Sequence, residues 1–211
     1  MTSENGSQLP FVWLAPHGPR WASGGEPVRV HDNPWFAVDY YGAAVAPTGS
    51  PAKYYLHDQK AVATGCLPLH DDGTVVLVGQ WRFPFGAYSW EMPEGGSLPP
   101  EIPLDGCKRE LAEEAGLQAA EWREVVRLQL SNSSSNEIAL CYLATGLSPA
   151  QADSDDHTED LAIVRVPFRE ALAAAVQGHI QDAMTVATLL RVHHMAVVGE
   201  LDPMLAQAVL S

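Results

Sequence analysis

Between Leu104 and Leu117 the chain sets three glutamates, Glu110, Glu113 and Glu114, on one flank of a predicted helix and an apolar row beside them. With about 3.6 residues per turn, Leu104, Cys107, Leu111 and Ala115 fall on a single stripe that has to face a core. The carboxylates are related by three- and four-residue steps, where like charges oppose a helix by roughly 0.2–0.5 kcal/mol per pair. Any fold of this chain must therefore back the stripe with an apolar layer and answer the glutamates with positive charge. Gly116 suits the left-handed position that ends a helix.

The neighbours of this segment say what kind of positive charge fits. Hard divalent cations such as Mg²⁺ take oxygen ligands and keep coordination positions for water and substrate phosphates. Arg109 lies among the glutamates, and its planar fork can orient a carboxylate or meet a phosphate oxygen. Gly95 and Gly96, ahead of the helix, let backbone approach an ion closely because no Cβ intervenes. The chain carries a formal charge of −14, so an anionic substrate would need bound cations, and the basic stripe of a nucleic-acid binder is missing.

With 211 residues, 46% of them hydrophobic, the sequence suits one domain with an extension. The N-terminus has no basic region followed by an apolar run, and no stretch approaches the roughly 20 apolar residues of a membrane helix. Cys66, Cys107 and Cys141 are widely spaced and odd in number, which fits neither a disulfide framework nor a zinc site and points to a reducing cytoplasm. Residues 1–25 read as an extended or poorly ordered arm, 26–60 as an N-terminal β segment, 61–200 as the main domain and 201–211 as a C-terminal tail. Strands are expected at 35–41, 53–57, 122–130, 136–144 and 161–166, and helices at 104–117, 169–176 and 182–197. Segments 61–68 and 74–83 are expected to form a hairpin about the turn His70-Asp71-Asp72-Gly73. Strands enclosing a helix, with helices at the end, indicate an α/β or α+β layered domain.

In register, Gly95, Glu101, Arg109-Glu110-Leu111, Glu113-Glu114 and Gly116-Leu117 follow the spacing Gly-x5-Glu-x7-Arg-Glu-U-x-Glu-Glu-x-Gly-U, with U aliphatic. This segment resembles the box of the Nudix hydrolases. The resemblance implies a mixed β-sheet sandwiched between helices, with an N-terminal antiparallel β extension. It also implies Mg²⁺- or Mn²⁺-dependent hydrolysis of a nucleoside diphosphate linked to another group. By that resemblance Glu110 and Glu114 are the principal metal ligands, Glu113 assists, and the backbone carbonyl of Glu94 is a further ligand; Arg109 orients a box glutamate and Glu101 supports the loop. Gly106 departs from the alanine common at its position, at about 1 kcal/mol of helix propensity; close packing against the sheet would explain it.

Gln80-Trp81-Arg82 and Trp90-Glu91-Met92-Pro93-Glu94-Gly95 are similar to the branch that cleaves ADP-ribose and nucleotide sugars. There Arg82 would contact phosphates, Glu91 the distal sugar or a metal-held water, and Trp35 the base, in a homodimer built through the N-terminal segment. The base that activates water would come from the acidic loop 152–160, with Glu159 first, Asp156 and Asp160 behind it, and His157 as the imidazole alternative. The segment Leu130-Ser131-Asn132-Ser133-Ser134-Ser135-Asn136-Glu137 lacks the proline of ADP-ribose pyrophosphatases, which leans the substrate toward nucleoside diphosphate sugars. Glu137 is a further candidate contact. ADP-ribose hydrolysis and a non-catalytic nucleotide sensor stay as alternatives; neither nucleic acid nor membrane is an expected partner.

Overall fold

A computed structural model of the chain describes residues 20–150 and 160–211. The first sheet is antiparallel and centred on β3 (Phe36–Val45), which pairs with β1 (Ala22–Ser23), β2 (Val28–Asp32) and β4 (Pro51–Gln59). Arg29 on β2 ties three of these strands together. Its guanidinium donates to Asp39 on β3 at 2.8 and 3.0 Å and to Asp58 on β4 at 2.7 Å, which holds the Asp39 carboxyl below its ordinary range.

The chain continues through β5 (Val62–Pro68), β6 (Thr74–Arg82), β7 (Ala87–Glu91) and β8 (Glu94–Ser97) to α1 (Pro103–Ala115). Then come β9 (Leu117–Gln129), β10 (Ile138–Pro149), β11 (Ala162–Pro167), α2 (Phe168–Val176), α3 (Ala183–Val198) and α4 (Pro203–Leu210). A mixed sheet runs in the order β8-β5-β10-β9, with β5 and β10 parallel and the other pairs antiparallel. A smaller antiparallel sheet has the order β11-β6-β7.

Strand β10 shows why this sheet needs helices on both faces. Ala139, Cys141 and Leu143 point into a core shared with Met184, Leu189 and Val192 of α3. Leu140, Tyr142 and Ala144 point the other way, onto Cys107 and Leu111 of α1. Period-two alternation of uniformly apolar residues is the mark of a strand buried on both faces. The sheet is thus sandwiched between α1 and the α2–α4 layer, as the layered expectation requires. Among the described residues no helix is long and apolar enough to cross a membrane.

One local expectation is corrected. The turn at 70–73 forms, with Gly73 at φ +80° and the His70 N–H and carbonyl bonded to Thr74 and Gly73 at 2.9 Å. The strands around it do not make a hairpin, however; a single bridge, Leu69 to Val75, joins them. β5 pairs with β8 and β10, while β6 pairs with β7 and β11. Val75, Val76, Leu77 and Val78 are all buried, so β6 has no polar face that would commit it to its neighbour in sequence. Strands β1, β7 and β8 and helix α4 were not anticipated, being short or Gly-containing; β1 lies in the expected 1–25 arm, of which residues 1–19 are outside the described residues.

Candidate active site

Helix α1 is delivered to the site by β8, whose Glu94 and Gly95 pair with Gly65 and Thr64 of β5. Pro103 opens the helix, and Gly116, at φ +63°, closes it by donating its N–H to the Leu111 and Ala112 carbonyls. Cys107 and Leu111 are fully buried on the sheet, with Leu104 and Ala115 packed beside them, so the apolar stripe lies where its period places it. Gly106 faces β8: a Cβ there would collide with the Ser97 hydroxyl. That contact accounts for glycine inside a helix.

The acidic flank is held in place by hydrogen bonds. Glu114 is buried, and its Oε2 accepts the backbone N–H of Glu94 at 2.9 Å. Arg109 donates from Nε to Glu101 at 3.2 Å, from Nη1 to Glu110 at 2.8 Å and Glu113 at 2.9 Å, and from Nη2 to the Gly96 carbonyl at 3.3 Å. One fork therefore offsets the like-charge repulsion and fixes two of the glutamates; the bond to Glu101, then the charge of Glu110, push its own pKa upward. Gly95 makes room for this arrangement, since a Cβ would run into the Glu110 carboxylate.

Arg82, near the end of β6, lies along β7 and donates to Glu91 through Nε at 2.9 and 3.1 Å and through Nη2, and it approaches Glu94 at 3.6 Å. Arg82 and Glu91 share a face of the β6–β7 pair, because Arg82 stands opposite Ala87 and Glu91 follows four residues later. Glu91 is buried beneath the guanidinium. Burial pushes the Glu94 carboxyl well above the ordinary carboxylate range, with Asp182 and Glu91 adding repulsion.

These groups line a cleft of about 930 Å³ that takes in Arg82, Glu94, Arg109, Glu110, Glu113 and Glu114. Gln59, Glu137, Asp160 and Asp182 complete its walls. Of the acidic loop, Glu159, Asp156 and His157 lie outside the described residues; Asp160, the next residue, reaches the cleft. Trp35 is 69% exposed and is not a lining residue. It stands beside the rim: its carbonyl accepts the Lys60 N–H at 3.1 Å, and the adjoining Phe36 pairs with Gln59. Sequence reasoning missed Gln59 and Asp182. Asp182 did leave a signal, an Asp three residues ahead of a Thr at a helix start, and its carboxylate caps α3 by accepting the Thr185 N–H at 2.7 Å. Gln59 left none.

The donor set fits a hard divalent cation in chemistry: all oxygen, mostly carboxylate. Glu94 Oε2 is shielded from solvent with no hydrogen-bond partner among the described residues, a costly state for a carboxylate oxygen that a cation would relieve. Among the described residues no three His, Cys, Asp or Glu side chains are already drawn together closely enough to enclose an ion. The Arg109 fork and the Glu94 N–H take up carboxylate oxygens that would have to turn toward it.

Residues 59–187 match the NUDIX domain. The chain is 33% identical over 136 residues to an ADP-ribose pyrophosphatase of Mycobacterium tuberculosis, a match covering 62% of this chain and 64% of that relative. The chain thus spans a little under two thirds of that protein. It is 29% identical over 143 residues to a GDP-mannose pyrophosphatase of Yersinia enterocolitica, covering 64% of this chain and 74% of the relative. A crystal structure of an ADP compounds hydrolase superposes with a TM-score of 0.76 at 20% identity, over 89% of this chain and all of that one; at that identity the likeness is one of fold.

Proposed function

The chain belongs to the NUDIX family, and from that premise we propose that it is a metal-dependent hydrolase of nucleoside diphosphate sugars, cleaving the pyrophosphate to give a nucleoside monophosphate and a sugar phosphate. The observation that carries the reading is the single cleft in which Arg82 and the α1 glutamates lie together. Both relatives are named for compounds in which a nucleoside diphosphate carries a sugar, which supports the substrate class. ADP-ribose falls within it; the loop 130–137, with Ser and Asn in place of a proline, favours the wider class.

In this reading Glu110, Glu114, Glu113 and the Glu94 backbone carbonyl hold Mg²⁺ or Mn²⁺, which when bound supplies Lewis acidity to the pyrophosphate oxygens. Arg109 keeps Glu110 and Glu113 in position through the bonds described above. Arg82 meets a phosphate; Glu91, expected at the distal sugar or a metal-held water, is buried against Arg82 and is not a cleft-lining residue, so we assign it instead to setting the direction of that fork. A water oxygen forms a bond to one phosphorus while the bridging P–O bond breaks, and the leaving phosphate takes that electron pair. The proton of the water passes to a carboxylate of the acidic loop, with Glu159 as our assignment; Asp160, the residue after it in sequence, lines the cleft. Trp35 beside the rim is assigned to the base.

The free, buried cysteines support a reducing cytoplasmic setting. Val28, Val30, Trp35 and Tyr55, all exposed on the first sheet or its turn, support a homodimer through that sheet; sedimentation would then give twice 22.8 kDa. The test of function is product release from nucleotide sugars, ADP-ribose and dinucleoside polyphosphates with Mg²⁺ or Mn²⁺. We expect nucleoside monophosphate from the sugars and about a hundredfold loss of kcat in Glu114→Gln, a magnitude usual for losing one electrostatic stabiliser. Ligand-dependent thermal stabilisation with no product from any compound would replace the enzyme with a sensor.

A further inference from the structure

We infer that Asn136 is a positioning residue for the cleft, and that Gln59, which it holds, accepts a hydrogen bond from the uncharged half of the substrate. The inference rests on the pyrophosphatase reading and adds to it the residues that recognise what the diphosphate carries.

The loop 131–136 between β9 and β10 lies along β4. The His57 N–H donates to the Ser134 carbonyl at 2.7 Å, and the Tyr54 hydroxyl donates to the Ser133 carbonyl. At its end Asn136 makes a two-sided clip. Its Oδ1 accepts the Gln59 N–H at 2.8 Å and its Nδ2 donates to the Asp58 carboxylate at 2.7 Å. The amide has one workable orientation, since turning it over would set acceptor against acceptor and donor against donor. Residues 131–134 are exposed and carry short polar side chains, so the loop has no apolar packing of its own and these bonds hold it.

The two segments that the clip joins each send a residue into the cleft. Gln59 and Glu137, the residue after Asn136, line it. Gln59 Oε1 is shielded from solvent and has no hydrogen-bond partner among the described residues, and turning the side-chain amide toward the cleft that Gln59 lines would let a substrate donor supply one. Arg82 and a cation on the glutamates claim the phosphates, and a neutral amide oxygen does not attract an anion. Its chemistry fits a hydroxyl or N–H donor on the sugar or base.

The test combines kinetics on the best nucleotide sugar with amide hydrogen exchange of the metal-loaded protein. Asn136→Ala should raise KM about tenfold with kcat within twofold, and should speed exchange at the residue 59 amide. Gln59→Leu should raise KM similarly while that amide stays slow, because the clip to the backbone survives. Asn136→Asp sets two carboxylates together and should behave like Asn136→Ala. Adding Asp58→Asn to it exchanges donor and acceptor, and should return KM to that of Asp58→Asn alone. An unchanged KM in Asn136→Ala or Gln59→Leu, or a double variant left unrescued, overturns the inference while the pyrophosphatase reading stands. If the unsubstituted chain cleaves nothing in the panel, that reading falls and the role of Gln59 with it; fast exchange at residue 59 in the unsubstituted chain removes the clip.

Discussion

At Arg109 one guanidinium meets Glu101, Glu110, Glu113 and the carbonyl of Gly96. Lysine would bring the same charge as a single point and could not reach all four. Arg109→Lys is therefore expected to lower kcat/KM at least tenfold, about 1.4 kcal/mol of transition-state stabilisation, while circular dichroism still reports a folded chain. An unchanged kcat/KM would remove Arg109 from the machinery. The sequence made Arg109 and its glutamates legible, because helical period alone places residues four apart side by side. It made Gln59 illegible: that glutamine matters through a backbone bond to a residue 77 positions away, and no local pattern carries such a pairing.

At the scale of elements, the packing of α1 on β8 overrides propensity. Alanine at position 106 would favour the helix by about 1 kcal/mol, yet its Cβ would strike the Ser97 hydroxyl, and overpacking of a tight contact costs about 1–3 kcal/mol. Gly106→Ala should thus lower the denaturant midpoint, and Ser97→Ala added to it should recover much of the loss. A Gly106→Ala variant more stable than the parent would show that β8 yields and the contact is loose. The same scale explains the misplaced hairpin. The Asp-Gly turn was correctly read, but a turn fixes only the chain reversal; which strands then pair depends on where two-sided apolar strands find cover.

Across the whole molecule, contacts within the chain hold the helix and sheet layers together. The acidic flank is already tied by Arg109 and by the Glu94 N–H, and the two apolar layers close on either face of the mixed sheet. Chelation is accordingly expected to abolish turnover and leave the melting midpoint within a few degrees of that of the metal-loaded protein, with activity restored on adding Mg²⁺ or Mn²⁺. Unfolding on chelation, followed by circular dichroism, would contradict this order of events.

The amino-acid sequence by itself determined the box helix, its buried stripe, its acidic flank and the family, because each is written in spacings of a few residues that a helix converts directly into neighbours. Tertiary structure decided which strands share a sheet, that Glu91 lies buried beneath Arg82, that Gly106 touches Ser97, and that Gln59, Glu137, Asp160 and Asp182 meet the helix in one cleft. Those outcomes depend on contacts between distant segments, and such contacts are settled by how apolar faces cover one another rather than by any residue's near neighbours.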